Sequence, residues 1–199
     1  MEQPLVINIV TGNPGKRIEF AKVFQRSGLN AEFRNIKMDL QEVQEETSVK
    51  VSEHKMREFL GRHPVNESEM YVIEDTSLRI VSPEFQGLCI PGPFIKFWGK
   101  DDNFDALLAA FPGKRAVAEA VITVHHNGIT KQFVGALNGR IVSGKDNDMP
   151  RGDNGFGWDR QFVVDGYDKT LSELTRDEKN EISHRRKAID KMVEYVKTL

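Results

Sequence analysis

The sequence predicts an α/β protein built on a mixed β-sheet, and three observations carry that prediction. A β-branched apolar run, Leu5–Val10, leads through a glycine- and proline-bearing turn into a helical apolar pattern. Further on, two strand-like runs flank Asn127-Gly128, a strong hairpin signal. The chain then ends on a one-faced helical pattern that begins at His184. Strands interleaved with helices, together with a hairpin, point to a sheet of mixed direction.

Leu5–Val10 is a strand by its β-branched composition. Thr11-Gly12-Asn13-Pro14-Gly15-Lys16 forms the turn, with Pro14 where a helix tolerates proline best, in its first turn. Phe20, Val23 and Phe24 stand at i, i+3 and i+4, which gives the first helix one apolar face. Ala31–Lys37 reads as a second strand, and Asp39–Glu46 as an acidic connection. Val49–Leu60 is helical and stops near Gly61 and Pro64. Met70–Ile73 is a buried strand whose C-terminal edge delivers Glu74 and Asp75. Phe104–Phe111 is a short apolar helix closed by Pro112-Gly113. Val117–Val124 and Ile129–Leu137 are the arms of the hairpin. Thr175-Arg176-Asp177-Glu178 has capping-box form, and Ala188, Ile189, Met192, Val193 and Val196 share one face of the last helix.

A chain of 199 residues is long enough to bury a real core and suits a single domain, 1–199, of one or two lobes. Its 28 Lys and Arg against 30 Asp and Glu give a net charge of −2, so there is no basic footprint for duplex DNA or RNA. The single cysteine, Cys89, excludes an intrachain disulfide and suits a reducing compartment. No signal pattern and no apolar stretch of membrane length is present, so the expected location is cytoplasmic and off the membrane.

Two late segments carry the chemistry. In Gly155-Phe156-Gly157-Trp158-Asp159, two flat rings lie beside backbone without side-chain bulk, followed by a carboxylate. Aromatic faces stack on planar bases, and glycine lets a ligand approach the main chain. Lys179 and His184-Arg185 then offer donors for a keto oxygen or a phosphate. At the other end of the chain, Thr11 to Gly15 open a helix whose first amides form an anion site, and Lys16 adds a point charge. The spacing of a Walker A loop is absent. The sequence also offers carboxylates: Glu42 lies within the acidic connection, a pattern that is usually a solvated face, and Asp75 stands at the end of an apolar strand run, where a carboxylate costs desolvation unless something uses it.

Four co-linear motifs make the chain resemble the inosine triphosphate pyrophosphatase (HAM1-like) family. They are Thr11-Gly12-Asn13 with Lys16 and Glu19; Glu74-Asp75-Thr76 with Pro91-Gly92-Pro93-Phe94-Ile95-Lys96; Phe156-Gly157-Trp158-Asp159; and Lys179 with Ser183-His184-Arg185. The similarity runs from about Val6 to the last helix, in the family's order. The resemblance implies a long mixed sheet with flanking helices and two lobes around a central nucleotide cleft. It implies hydrolysis of aberrant purine nucleoside triphosphates (ITP, dITP, XTP) to the monophosphate and pyrophosphate, by water attack on the α-phosphorus. Mg²⁺, with Mn²⁺ as a substitute, would sit on Glu42 and Asp75, and Asp75 would be second ligand or general base. Lys16, the Thr11 to Gly15 backbone, Lys55 or Lys96, and Thr76 would hold the phosphate chain. Phe156, Gly157, Trp158, Asp159, Lys179, His184 and Arg185 would hold the base, with His184 or Arg185 donating to its 6-keto oxygen. A homodimer is also implied.

Several positions depart from the family pattern. Gly87-Leu88-Cys89-Ile90-Pro91-Gly92-Pro93 is longer than the usual loop, Phe94 replaces a common tyrosine, and Arg160 replaces a common proline. Lys50 competes with Lys55 for the place of the helix lysine. Two other readings remain on the sequence: a silent nucleotide-sensing module, and a pyrophosphatase for modified pyrimidine nucleotides.

Overall fold

The structure is a computed structural model and describes residues 3–81, 88, 90–92, 95, 115–142, 152, 154 and 157–199. Its elements are β1 (Leu5–Val10), α1 (Pro14–Ser27), β2 (Ala31–Ile36), α2 (Ser48–Arg62), β3 (Met70–Ile80) and β4 (Pro91–Gly92). They continue with β5 (Arg115–His126), β6 (Ile129–Ile141), β7 (Phe162–Val164), α3 (Arg176–Ile182) and α4 (His184–Val196). The strands form one seven-stranded sheet in the order β2-β1-β3-β5-β6-β7, with β4 paired to β3. β1 runs parallel to β2 and β3, whereas β3–β4 and β6–β7 are antiparallel. The sheet is mixed, as the sequence predicts.

The chain divides into two compact units, and β3, β5 and β6 contribute to both. The first comprises Met1–Thr76, Ala120–Gly135 and Arg185–Leu199. Strand alternation sorts its side chains onto two faces. Ile7, Ile9, Met70, Val72, Ile122 and Val124 pack with Phe20, Val23 and Phe24 of α1 and with Ala188, Ile189, Met192 and Val193 of α4. On the other face Val10, Tyr71 and Ile73 pack with Met56 and Phe59 of α2. Each fully buried phenylalanine, Phe20 and Phe59 among them, contributes about 1.5–3 kcal/mol. The hairpin turns on Asn127 (φ 49) and Gly128 (φ 70), the paired positive φ values of a tight two-residue turn.

The second unit comprises Ser77–Glu119 and Ala136–His184. Its core gathers Leu78 and Ile80 of β3, Ala116 and Ala118 of β5, Leu137 and Ile141 of β6, and Phe162 and Val164 of β7, with Trp158, Leu171 and Leu174. Gly139 pairs with Val164 where β7 crosses closest, and a Cβ there would stand 2.3 Å from the Val163 carbonyl oxygen and 2.7 Å from the Phe162 ring. Gly139→Ala is therefore expected to cost about 1–3 kcal/mol, read as a lower urea midpoint with an unchanged slope.

Two differences from the sequence reading have physical causes. β3 extends to Ile80 rather than ending at Ile73, because Glu74, Asp75 and Ser77, which break the apolar pattern, are nonetheless buried. The short run Phe162–Val164 is a strand because β6 receives it, a tertiary pairing that three residues do not announce. Gly157–Arg160 is a single 3₁₀ turn. The helix expected over Phe104–Phe111 lies outside the described residues.

Candidate active site

In the first unit, β1 ends at Val10 beside β3, with Ile9 opposite Val72, while β3 runs on to Ile80, so the chain leaves β1 at Thr11 alongside the Glu74–Thr76 stretch of β3. Open α/β sheets bind ligands at the carboxyl ends of such strands. Because side chains alternate along β3, Asp75 shares the α2 face with Tyr71 and Ile73, while Glu74 and Thr76 share the α1 and α4 face with Met70 and Val72.

On the α2 face, Lys55 Nζ donates to Asp75 Oδ1 at 2.5 Å and to Glu42 Oε1 at 3.1 Å. Lys55 and Asp75 are buried and Glu42 is half-buried. Burial disfavours the Lys55 ammonium, yet the two carboxylates beside it outweigh that and hold it charged. Burial pushes the Asp75 carboxyl up, and the charge and hydrogen bond of Lys55 oppose the shift without cancelling it. Asp75 Oδ2 is buried and has no hydrogen-bond partner among the described residues. A buried carboxylate oxygen left without a donor costs free energy unless something at the site uses it. Lys50 stands elsewhere, exposed in the first turn of α2 and paired at 2.6 Å with Glu46, which precedes the helix.

The opposite face carries a buried charge network. Glu74 accepts from Arg185 Nε at 3.0 Å, pairs with Lys16 Nζ at 2.5 Å and accepts from the Thr76 hydroxyl. Arg185 also donates to Glu19 of α1 and, at 3.4 Å, to Thr76 Oγ1. Burial alone would raise the Glu74 carboxyl, but the Arg185 and Lys16 charges and the attached hydrogen bonds hold it well below the usual carboxylate range. The guanidinium of Arg185, 2% exposed, is likewise held charged by Glu74 and Glu19 against its own desolvation.

The turn before α1 is built differently from the anion site that its sequence suggests. Asn13 caps the helix, its Oδ1 accepting from Gly15 N at 2.8 Å and Lys16 N at 3.3 Å. Pro14 has no amide hydrogen, and Arg17 N donates to the Asn13 carbonyl at 3.3 Å. The Asn13 amide in turn donates to Thr11 Oγ1 at 3.1 Å. The first-turn amides are thus already engaged, so a phosphate here would meet Lys16 and a rigid turn rather than a row of open donors. Gly12 faces open space, where even a Cβ would find no neighbour within 4 Å.

The second unit brings together Trp158, Asp159, Lys179 and His184. The 3₁₀ turn carries Trp158 and Asp159, while the capping box of Thr175 and Glu178 starts α3 and so places Lys179 one turn in. Lys179 Nζ donates to Asp159 Oδ2 at 2.6 Å, both side chains being buried. The Trp158 and His184 rings lie 6.4 Å apart at 32°. Trp158 Nε1 is buried with no acceptor among the described residues. Phe156 and Lys96, two of the sequence candidates, lie outside the described residues.

Comparison with known proteins bears on this arrangement. Residues 7–195 match the Ham1 family. The chain belongs to the Ham1 family. It is 34% identical over 189 residues to inosine triphosphate pyrophosphatase 2 of Trypanosoma cruzi (strain CL Brener), an alignment covering 92% of the chain and 88% of that protein. It is 32% identical over 194 residues to the dITP/XTP pyrophosphatase of Pyrococcus horikoshii, covering 96% of both. Among solved structures, a HAM1 protein from Coxiella burnetii shares the fold with a TM-score of 0.76 at 24% identity, over 98% of this chain and 100% of that one. The Staphylococcus aureus Ham1 protein aligns with a TM-score of 0.74 at 25% identity, over 96% and 98% of the two chains.

In this Ham1-family chain, the residues to which the sequence reading gave no role are Glu19 and Glu74. Both sit inside the quoted motifs, and their signal is spacing: Glu19 lies one helical turn beyond Lys16, and Glu74 and Thr76 flank Asp75 with alternate facing. Only the folded chain shows that they converge on Arg185.

Proposed function

We propose that the chain hydrolyses ITP, dITP and XTP to the nucleoside monophosphate and pyrophosphate, with water attacking the α-phosphorus. The observation that supports this reading most is Asp75, a buried carboxylate within β3 just past its parallel pairing with β1, with one oxygen on Lys55 and the other without a donor among the described residues. The names of the relatives, inosine triphosphate pyrophosphatase and dITP/XTP pyrophosphatase, supply the substrate class.

Glu42 and Asp75 fit a Mg²⁺ ion, with Mn²⁺ as a substitute. No group of three or more His, Cys, Asp or Glu side chains able to hold a metal occurs among the described residues. Mg²⁺ is commonly bound by one or two carboxylates, with substrate phosphates and water completing the shell, and the unpartnered Asp75 Oδ2 is a ready ligand. Bound there, the ion would neutralise phosphate charge and lower the pKa of water.

The chain's own groups do the remainder. Asp75 acts through its second oxygen, either as second metal ligand or as the base that accepts the proton of the attacking water. Lys55 keeps a positive charge against Asp75 and Glu42, and we assign the phosphate chain to Lys16, the Thr11–Gly15 turn, Thr76 and Lys55 or Lys96. We assign the ring of Phe156 or Trp158 to stacking on the purine; such stacking is worth about 1–3 kcal/mol and does not discriminate among bases. Discrimination falls to Asp159, Lys179, His184 and Arg185, because a site whose buried donors pair with a 6-keto oxygen leaves them unpaired with adenine. We further assign Phe156 and Gly157 to the base side, a cytoplasmic location and a homodimer, and retain 1–199 as one functional domain. No helix among the described residues is long and apolar enough to cross a membrane.

Turnover of ITP with Mg²⁺, run beside ATP, GTP and UTP, tests the reading. ITP is expected to be cleaved far faster than the other three, and EDTA is expected to stop the reaction. Full activity in EDTA would remove the metal role of Glu42 and Asp75, and equal turnover of ATP would remove the base assignment. Binding of ITP without turnover would move the chain to a sensing role.

A further inference from the structure

The buried face of α2 carries Ser48, Ser52 and Lys55 beside Val51 in its first half and is apolar over its second. Met56 and Phe59 pack against Val10, Tyr71 and Ile73, whereas Ser48, Ser52 and Lys55 are buried polar side chains preceding them. Ser52 Oγ lies 2.6 Å from Thr123 Oγ1 of β5, both fully buried. Gln132 of β6 closes the chain: its Nε2 donates to Thr123 Oγ1 at 3.0 Å and to the Val49 carbonyl, in the first turn of α2, at 3.0 Å. The two hydrogens of one amide thus tie the helix backbone and a strand hydroxyl together, and that hydroxyl holds the helix side chain.

Strand alternation agrees with this placement. Ile122, Val124 and Phe133 face α1 and α4, so Thr123 and Gln132 face α2, on the same side of the sheet as Asp75. Two hydrogen bonds to the helix, linked by a third between β5 and β6, restrain its rotation and rise, which sliding apolar contacts do not. Lys55 stands three residues beyond Ser52, on the same face and one turn on, so the placement of α2 decides where its ammonium reaches between Asp75 and Glu42.

We propose that Ser52, Thr123 and Gln132 are positioning residues for the hydrolytic site, fixing α2 so that the Lys55 ammonium stands between Glu42 and Asp75. The inference rests on the proposed pyrophosphatase reading. It goes beyond that reading by giving three residues outside the substrate contacts a role that acts through Lys55.

Thr123→Val keeps the shape of the buried side chain and removes the hydroxyl, whereas Thr123→Ser keeps the hydroxyl. Kinetics with ITP and Mg²⁺, well below each variant's unfolding midpoint, are expected to show kcat about 10-fold lower in Thr123→Val with KM little changed. Thr123→Ser is expected to restore kcat to within about 2-fold of the parent, the conservative exchange retaining the hydrogen bonds. The decisive arm is a double-mutant cycle: in a Lys55→Met background, adding Thr123→Val is expected to have no further effect on kcat. Should Thr123→Val fail to fold, the half-buried Gln132→Met takes its place with the same expected results. An unchanged kcat in a folded variant, or full additivity with Lys55→Met, would overturn the proposal. A parent protein inactive on ITP would instead overturn the functional reading on which it rests.

Discussion

Asp75→Asn is expected to lower turnover of ITP by about 10³-fold, within the range spanned by general base catalysis, while the protein stays folded. The geometry separates the two effects. Asp75 Oδ1 accepts from Lys55 at 2.5 Å, and an asparagine oxygen can accept the same bond. Asp75 Oδ2 has no donor among the described residues, so an NH₂ group there breaks no hydrogen bond that the structure shows. What the amide loses is the capacity to take a proton and to bind a cation. Burial, which pushes the Asp75 carboxyl up, also means that folding gains nothing from its charge beyond the pairing with Lys55. Thermal unfolding beside steady-state kinetics checks both halves: a variant with most of its activity would take Asp75 out of the mechanism, and one that does not fold would make its role architectural.

Arg185→Ala is expected to act in the opposite order, on stability first. Its guanidinium is 2% exposed and engages Glu74, Glu19 and Thr76 through its three nitrogens. Removing one member of a buried charge network leaves the others desolvated without compensation, at a cost of roughly 3–5 kcal/mol. Lys16, at 2.5 Å, still neutralises part of the Glu74 charge, which places the expected cost at the lower end of that range. In a chain of this size each kcal/mol moves Tm by about 2–4 °C, so the fall is on the order of 10 °C. Differential scanning calorimetry measures it directly. The ITP to ATP ratio, taken on protein held well below the lowered midpoint, then reads the base-side role separately: a reduced ratio supports donation to the purine, and an unchanged ratio confines Arg185 to holding Glu74 and Glu19. A Tm shift of less than about 2 °C, below that of a single kcal/mol, would show that the network contributes little.

Much of this fold is legible before folding because its signals are local. The face made by Phe20, Val23 and Phe24, the hairpin at Asn127-Gly128 and the capping box at Thr175 each lie within a few residues of chain, and each is found in the structure. The length of β3 is not legible in that way. Glu74, Asp75 and Ser77 look like the end of a strand until Lys16, Arg185 and Lys55 are seen to compensate the carboxylates. The three-residue strand β7 depends on β6 and on the absence of a side chain at Gly139.

The site divides along the same line. Asp75 and Glu42 could be named as carboxylates of interest, but that Lys55 is buried against Asp75 while Lys50 is exposed against Glu46 is a difference no motif encodes. The turn at Thr11–Lys16 reads as an anion site from its composition, yet Asn13 satisfies the amides of Gly15 and Lys16 itself. That distinction depends on one side-chain rotamer. The chain from Ser52 through Thr123 to Gln132 links residues 71 and 9 positions apart, a pairing invisible to any local pattern.

Hydrolysis of ITP in H₂¹⁸O with Mg²⁺, followed by mass spectrometry of the products, tests the central claim most directly. Attack at the α-phosphorus puts the ¹⁸O into IMP and releases unlabelled pyrophosphate. IDP with inorganic phosphate, or label carried in the pyrophosphate, would contradict it.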